Sequence, residues 1–205
     1  FNDEERQGQS DTLRRTEFVQ PGIGAFSAGL YKLLKQSGFS PDFAAGHSFG
    51  ELTALWAGDV LDDNTFYYLA KARGQAMAAP GSTTFDTGTM VAVQGDIAQL
   101  QNDIQGMEDV TIANYNSNDQ VVLAGSTPAM QAAQQHLGAK GYVVTPLPVS
   151  AAFHTNFVGH AQQPFAQAIE KARFAPPRFA VYGNSSAQPY SNQPEAIKAT
   201  LKDHI

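Results

Sequence analysis

Apolar residues recur at helical spacing from Pro21 to about Gln36, where Ile23, Phe26, Leu30 and Leu33/Leu34 share a stripe. Pro21 suits the first turn of that helix, because its missing N–H has no partner there in any case. Residues 1–20 are polar and charged and predict a linker or a surface-hugging lead-in. Gly38 and Pro41 break the chain, and the short run Phe43-Ala44-Ala45 predicts a strand. A sharp turn, Gly46-His47-Ser48-Phe49-Gly50, then leads into a helix over Leu52–Ala57. Asp62 and Asp63 are cap candidates for a further helix running to about Met77. The stretch Pro80–Gly88 is rich in Gly, Ser and Thr and marks a boundary.

Beyond it the pattern predicts a strand at Met90–Gln94, a helix at Ile97–Ile104 and strands at Val110–Asn114 and Val121–Ala124. A helix at Pro128–Leu137 and a strand at Tyr142–Leu147 complete the order βαββαβ, that of a split-βαβ, ferredoxin-like unit. Thr127 is the expected N-cap of the second helix, and Gly138 and Gly141 suit its far end. After Pro146 and Pro148, mixed structure returns: a helix near Phe157–Ala172, a strand near Phe179–Tyr182 and a helix from Pro194. The expected fold class is α/β, a parallel-sheet core interrupted by a small α+β insert. The expected divisions are 1–87 (core, first segment), 88–148 (insert) and 149–205 (return to the core).

Composition narrows the partners. The 205 residues are 42% hydrophobic and 16% charged, the balance of a globular protein with one large domain or a main domain and an insert. A net charge of −6 without a Lys/Arg-rich run argues against nucleic acid. No apolar stretch is long enough to span a bilayer, and Phe-Asn-Asp-Glu-Glu-Arg is no signal-peptide opening. The absence of Cys excludes disulfides, thiolate metal sites and a Cys nucleophile, and fits an intracellular setting. A first residue other than Met predicts a chain cut from something longer.

Candidate chemistry centres on Ser48. Gly46-x-Ser48-x-Gly50 between a strand and a helix is the context of a nucleophile turn. Such a turn is tight, so small residues are expected two places either side of the serine. The helix that follows points free N–H groups at the reacting centre, which makes the Phe49 N–H the natural oxyanion donor. The bland alternative is a strand-to-helix turn in which glycines merely allow closeness.

Five histidines could serve as base. His47 adjoins Ser48 and should point elsewhere, while His136 lies on the polar side of its helix. His160 sits in a helical region without polar company, and His204 is near the end. His154 follows the strand Tyr142–Leu147 on a loop, where α/β proteins collect catalytic groups, although a structural role fits it equally well. Glu51, one helical turn past Ser48, is expected to cap or pair locally, so a Ser–His dyad is the expected machinery.

Arg73 lies seven residues after Phe66, four after Leu69 and four before Met77, on the apolar stripe of its helix. A guanidinium there either snorkels to water or grips an anionic substrate, and periodicity leaves both readings open.

Together these residues resemble the malonyl-CoA:acyl-carrier-protein acyltransferases of fatty acid and polyketide synthases. The resemblance is carried by Gly46-His47-Ser48-Phe49-Gly50-Glu51, Lys71-Ala72-Arg73-Gly74, Ala113-Asn114-Tyr115-Asn116-Ser117 and Val121-Val122-Leu123-Ala124-Gly125. It continues through Pro148-Val149-Ser150-Ala151-Ala152-Phe153-His154 and Tyr182-Gly183-Asn184-Ser185. Phe49 and the Asn-Asp-Glu-Glu opening are most similar to the polyunsaturated fatty acid synthase type. The resemblance implies a hydrolase-like core with a ferredoxin-like insert. It implies that Ser48 carries the acyl ester, that His154 is the base in both half-reactions and that Arg73 holds the malonyl carboxylate. Phe153 would restrict the α-carbon pocket, Phe49 and Asn114 would bind substrate, and the His204 backbone carbonyl would steady the catalytic histidine. It further implies malonyl-CoA as substrate, no tightly bound cofactor and no metal, an acyl carrier protein and neighbouring synthase domains as partners, and a cytoplasmic location.

Three departures stand against it. The family's opening Gly-Gln-Gly-rich oxyanion loop is absent, since Gln7-Gly8-Gln9-Ser10 lies too close to the Pro21 helix. Ala151 replaces a frequent His, and the family's C-terminal elements beyond Ile205 are missing. A serine hydrolase such as a thioesterase or patatin-like lipase, or an inactive fragment, are the competing expectations.

Overall fold

The computed structural model describes residues 2–78, 86–148, 152 and 156–203. The chain divides into two compact units, Phe1–Ala78 with His160–Ile205, and Ala79–Gly159.

The first unit opens with a helix where a linker is expected. In α1 (Asp3–Leu13) the Asn2 side chain accepts from the Glu5 N–H and Glu5 reaches back to Asn2. This capping box, with Asp3, Glu4 and Glu5 in the first turn, starts a helix that buries no residue and so shows no apolar period. The next helix, α2, runs Thr16–Gln36 and holds Pro21 in its interior instead of starting there. Packing explains the early start. Thr16, Gln20, Gly24 and Ala28, four residues apart, are its buried positions. A Cβ on Gly74 would lie 2.7 Å from the Thr16 carbonyl, so that glycine lets the first turn of α2 close on the next long helix. The apolar stripe of Ile23, Phe26, Leu30 and Leu33 is exposed instead.

Strand β1 (Phe43–Ala45) leads through the Ser48 turn into α3 (Gly50–Ala57). Helix α4 (Asp63–Ala76) is capped by Asp62, whose side chain accepts from the Thr65 N–H. Its buried positions are Phe66, Leu69, Ala70, Arg73 and Gly74, the stripe read from the sequence.

The second unit holds β2 (Thr89–Gln94), α5 (Ile97–Asp103), β3 (Val110–Tyr115), β4 (Gln120–Gly125), α6 (Thr127–Ala139) and β5 (Val143–Pro146). Its antiparallel sheet has the order β3-β4-β2-β5. Alternation sorts the side chains: Val91, Val93, Val121 and Leu123 pack with Leu100, Met130 and Leu137, while Met90, Val122, Ala124 and Ala152 form a second cluster. Thr127 does not cap α6. Ser126 occupies the cap position without a side-chain bond, and Asp86 accepts instead from both the N–H and the hydroxyl of Thr127.

The expected long helix near Phe157–Ala172 is a 3₁₀ turn, Asn156–Ala161, at the boundary of the units, followed in the first unit by α7 (Gln162–Lys171). Strand β6 (Ala180–Tyr182) pairs in parallel with β1, Phe43 opposite Ala180 and Ala45 opposite Tyr182, and α8 (Pro194–Lys202) follows. Leu55, Phe66, Phe165, Ile169, Val181 and Ile197 form the centre of this unit's core. The architecture is mixed α/β, one parallel and one antiparallel sheet. Among the described residues, no helix is long and apolar enough to cross a membrane.

Candidate active site

Because β1 and β6 are parallel neighbours, the turns that follow them leave the sheet at the same end, where open α/β sheets place their ligands. Ser48 is three residues beyond β1 and Asn184 two beyond β6. The backbone of Ser48 is left-handed, with φ 52°, a conformation that costs a non-glycine residue about 1–2 kcal/mol.

The glycines around it are not equivalent. A Cβ on Gly46 would meet the Gly50 carbonyl oxygen at 2.0 Å, so the chain can fold back on itself only with glycine there. A Cβ on Gly50 would have nothing within 4 Å. The expected steric need for small residues on both sides therefore holds only for the first.

Arg73 comes from α4 and is 2% exposed. Its Nη1 donates to Gln20 Oε1 at 2.9 Å and its Nη2 to Ser48 Oγ at 3.3 Å. Burial pushes its pKa down to about 10, against the opposing pull of the Glu51 carboxylate, so it stays protonated at neutral pH. The snorkelling alternative is thereby removed, because the guanidinium ends inside the protein beside the serine. Gln20 and Arg73 meet because Gly24 and Gly74 let α2 and α4 approach closely.

Glu51 pairs at long range. It is 1% exposed, and its Oε1 accepts from the Asn184 N–H at 2.8 Å and the Tyr190 hydroxyl at 2.7 Å. Burial, reinforced by the neighbouring Glu51 charge, raises the Tyr190 pKa far above its ordinary value and keeps the phenol a donor. Asn184 Oδ1 in turn accepts from the Ser48 N–H at 2.8 Å.

The structure thus brings Ser48 and Arg73 together and adds Gln20, Glu51, Asn184 and Tyr190, none of which has an expected role at the site from motif or spacing. For Gln20 a signal exists: it extends the Gly24–Ala28 stripe by one turn. The Phe49 ring is 7% exposed and packs against Gly24 in the core. In the second unit, Asn114 is half-buried at an irregularity of β3, where pairing with β4 shifts between Ile112 and Asn114. Ala152 is fully buried and donates its N–H to the Thr87 carbonyl at 2.8 Å, anchoring the chain two residues before His154. His154, Phe153 and His204 lie outside the described residues. His136 is exposed, and His160 has the Ala78 carbonyl 3.2 Å from Nε2, the polar company not expected for it.

Fold and site define an α/β protein with a serine on a strand–turn–helix elbow beside a buried cation. The chain belongs to the acyl transferase domain family, whose sequence signature matches residues 4–204. It is 36% identical over 190 residues to the malonyl CoA-acyl carrier protein transacylase of Synechocystis, spanning 92% of this chain and 62% of that protein. It is 33% identical over 206 residues to a polyunsaturated fatty acid synthase polypeptide of Thraustochytrium, spanning 98% of this chain and 7% of that protein. Among solved structures, a malonyl-transacylase in complex with its type II polyketide acyl-carrier protein superposes with a TM-score of 0.82 at 31% identity, covering 97% of this chain and 65% of that one.

Proposed function

We propose that the chain is the catalytic portion of a transacylase that moves a malonyl group from coenzyme A to the phosphopantetheine thiol of an acyl carrier protein. The observation that carries this reading is the protonated Arg73 guanidinium 3.3 Å from Ser48 Oγ. In a malonyl ester on Ser48, the free carboxylate lies three bonds from Oγ, within reach of that cation. A plain acyl ester offers it nothing.

In the proposed reaction, Ser48 Oγ attacks the thioester carbonyl while His154 takes the hydroxyl proton. The tetrahedral oxyanion is met by the Phe49 N–H, which no acceptor among the described residues takes. Collapse expels the coenzyme A thiolate, which receives the proton from His154. In the second half, His154 takes the proton of the carrier thiol, whose sulfur attacks the ester carbonyl. Collapse then breaks the bond to Ser48 Oγ, and His154 returns the proton to it. The His204 carbonyl orients His154, Phe153 narrows the α-carbon pocket, and Asn114 contacts substrate. Proton transfer and acyl transfer are both done by side chains, so no tightly bound cofactor and no metal is required.

The βαββαβ order with spatial order β3-β4-β2-β5 supports a ferredoxin-like insert, and the elbow on a parallel sheet supports a hydrolase-like core. The divisions 1–87, 88–148 and 149–205 belong to the same reading. So do neighbouring synthase domains as further partners, and the cytoplasm as the place where coenzyme A thioesters are used.

The test is intact-mass analysis of the full-length protein after brief exposure to malonyl-CoA. One malonyl group should be found on Ser48 and none in Ser48→Ala. Undiminished labelling of Ser48→Ala would refute the nucleophile assignment.

A further inference from the structure

We infer that Asn184 is a positioning residue for the nucleophile, clamping the Ser48 main chain while Glu51 clamps Asn184. The inference rests on Ser48 being the nucleophile.

The bonds form a closed circuit. Asn184 Oδ1 accepts the Ser48 N–H at 2.8 Å, and the Asn184 N–H is accepted by Glu51 Oε1 at 2.8 Å. Glu51 stands in the first turn of α3, three residues past Ser48, so the circuit returns to the elbow it holds. Tyr190 steadies the far side: its hydroxyl donates to the same Glu51 oxygen at 2.7 Å, and its N–H donates to the Val181 carbonyl in β6 at 2.7 Å.

This circuit answers two needs of the elbow. A serine at φ 52° persists only where its surroundings over-determine it, and a bond to its own N–H resists relaxation of that torsion. The bond also takes the Ser48 N–H away from the reacting centre and leaves the next N–H, of Phe49, to face the oxyanion. Asn184 therefore fixes the main-chain torsion from which Oγ projects.

The test uses the full-length protein and a small fluorophosphonate, which reports serine reactivity without needing the malonyl carboxylate. Labelling is located by peptide mass spectrometry and timed in wild type, Asn184→Leu and Asn184→Asp, alongside kcat and KM for malonyl-CoA. Asn184→Leu keeps the size but loses the acceptor. It should slow labelling of Ser48 and lower kcat about ten- to hundredfold, as sub-ångström misplacement of a reacting group does, with KM within about twofold. Asn184→Asp keeps the acceptor and should label within about threefold of wild type. If Asn184→Leu does not fold, Asn184→Ala, at an exposed position, takes its place with the same expectation. Wild-type labelling rates in the acceptor-less variant, or an Asp variant as slow as Leu, would overturn the positioning role and leave the nucleophile assignment standing. A folded wild type that reacts elsewhere but never at Ser48 would remove both.

Discussion

Gln20 Oε1 accepts a hydrogen bond from Arg73 Nη1 at 2.9 Å, and both side chains are buried. With one end of the guanidinium fixed to α2, the other faces Ser48 Oγ. A cation oriented before substrate arrives need not be ordered during reaction, and its interactions strengthen with exclusion from water.

Arg73→Ala should lose malonyl transfer selectively. Truncating one partner of a desolvated charge pair costs on the order of 2–5 kcal/mol, or roughly 30- to several thousandfold in kcat/KM. Acetyl transfer should hold or rise. Rates for malonyl-CoA and acetyl-CoA in both proteins, with thermal unfolding alongside, decide the matter. Equal losses for the two substrates would make Arg73 a structural residue.

His154→Ala should slow acyl loading and acyl discharge alike, by about 10²–10⁴-fold, because in the proposed reaction one imidazole serves both. His160→Ala and His136→Ala should leave both rates near wild type. Pre-steady-state loading and transfer to the carrier separate the two half-reactions. A comparable loss in either control would move the base away from His154.

The glycines of the elbow should respond in opposite directions. Gly46→Ala puts a Cβ 2.0 Å from the Gly50 carbonyl and should cost more than about 3 kcal/mol or prevent folding. Gly50→Ala meets open space at the start of α3 and should be neutral or stabilise by up to about 1 kcal/mol. Chemical denaturation of the two variants compares them. Similar destabilisation by both would mean that the turn is not built as described.

Asp86 closes the start of α6 from 41 positions away, accepting from the Thr127 N–H at 2.8 Å, its hydroxyl at 2.7 Å and the Gly88 N–H at 2.9 Å. The Thr127 bonds hold the Asp86 carboxyl below its ordinary value of 3.8. A depressed folded pKa gives stability that is fully present above pH about 4 and is lost as pH falls through the folded value. Asp86→Ala should therefore cost about 1 kcal/mol near pH 6, as loss of a helix cap does, and progressively less in acid. A gap in Tm that stays constant down to pH about 2.5 would contradict this account.

Much of this was legible in the sequence, for identifiable reasons. The α4 stripe was readable because Phe66, Leu69 and Ala70 repeat with the period of a helix, and Arg73 stood out against them. The second unit's strands and helices alternate in short, separately punctuated segments, so their order could be read with errors of a residue or two at the ends. Helix α1 could not be read from periodicity, since it buries nothing and rests on its cap. The reach of α2 before Pro21 depends on Gly74, 58 positions after Thr16, which local pattern cannot see. The same holds for Glu51, whose partners, Asn184 and Tyr190, are supplied by the other side of a parallel pairing.

That separation has a bearing on how the site comes into being. The groups that clamp the elbow lie far downstream: Asn184 is 136 positions after Ser48, and Tyr190 is 139 after Glu51. Closing so long a loop adds little to its thermodynamic cost but delays its formation, and during synthesis the N-terminal segment emerges first. A growing chain thus presents Ser48 well before Asn184 and Tyr190 can hold its elbow. In the proposed function, the Ser48 elbow gains its Asn184 clamp only once β6 docks beside β1, so a growing chain carries a serine not yet held in that geometry.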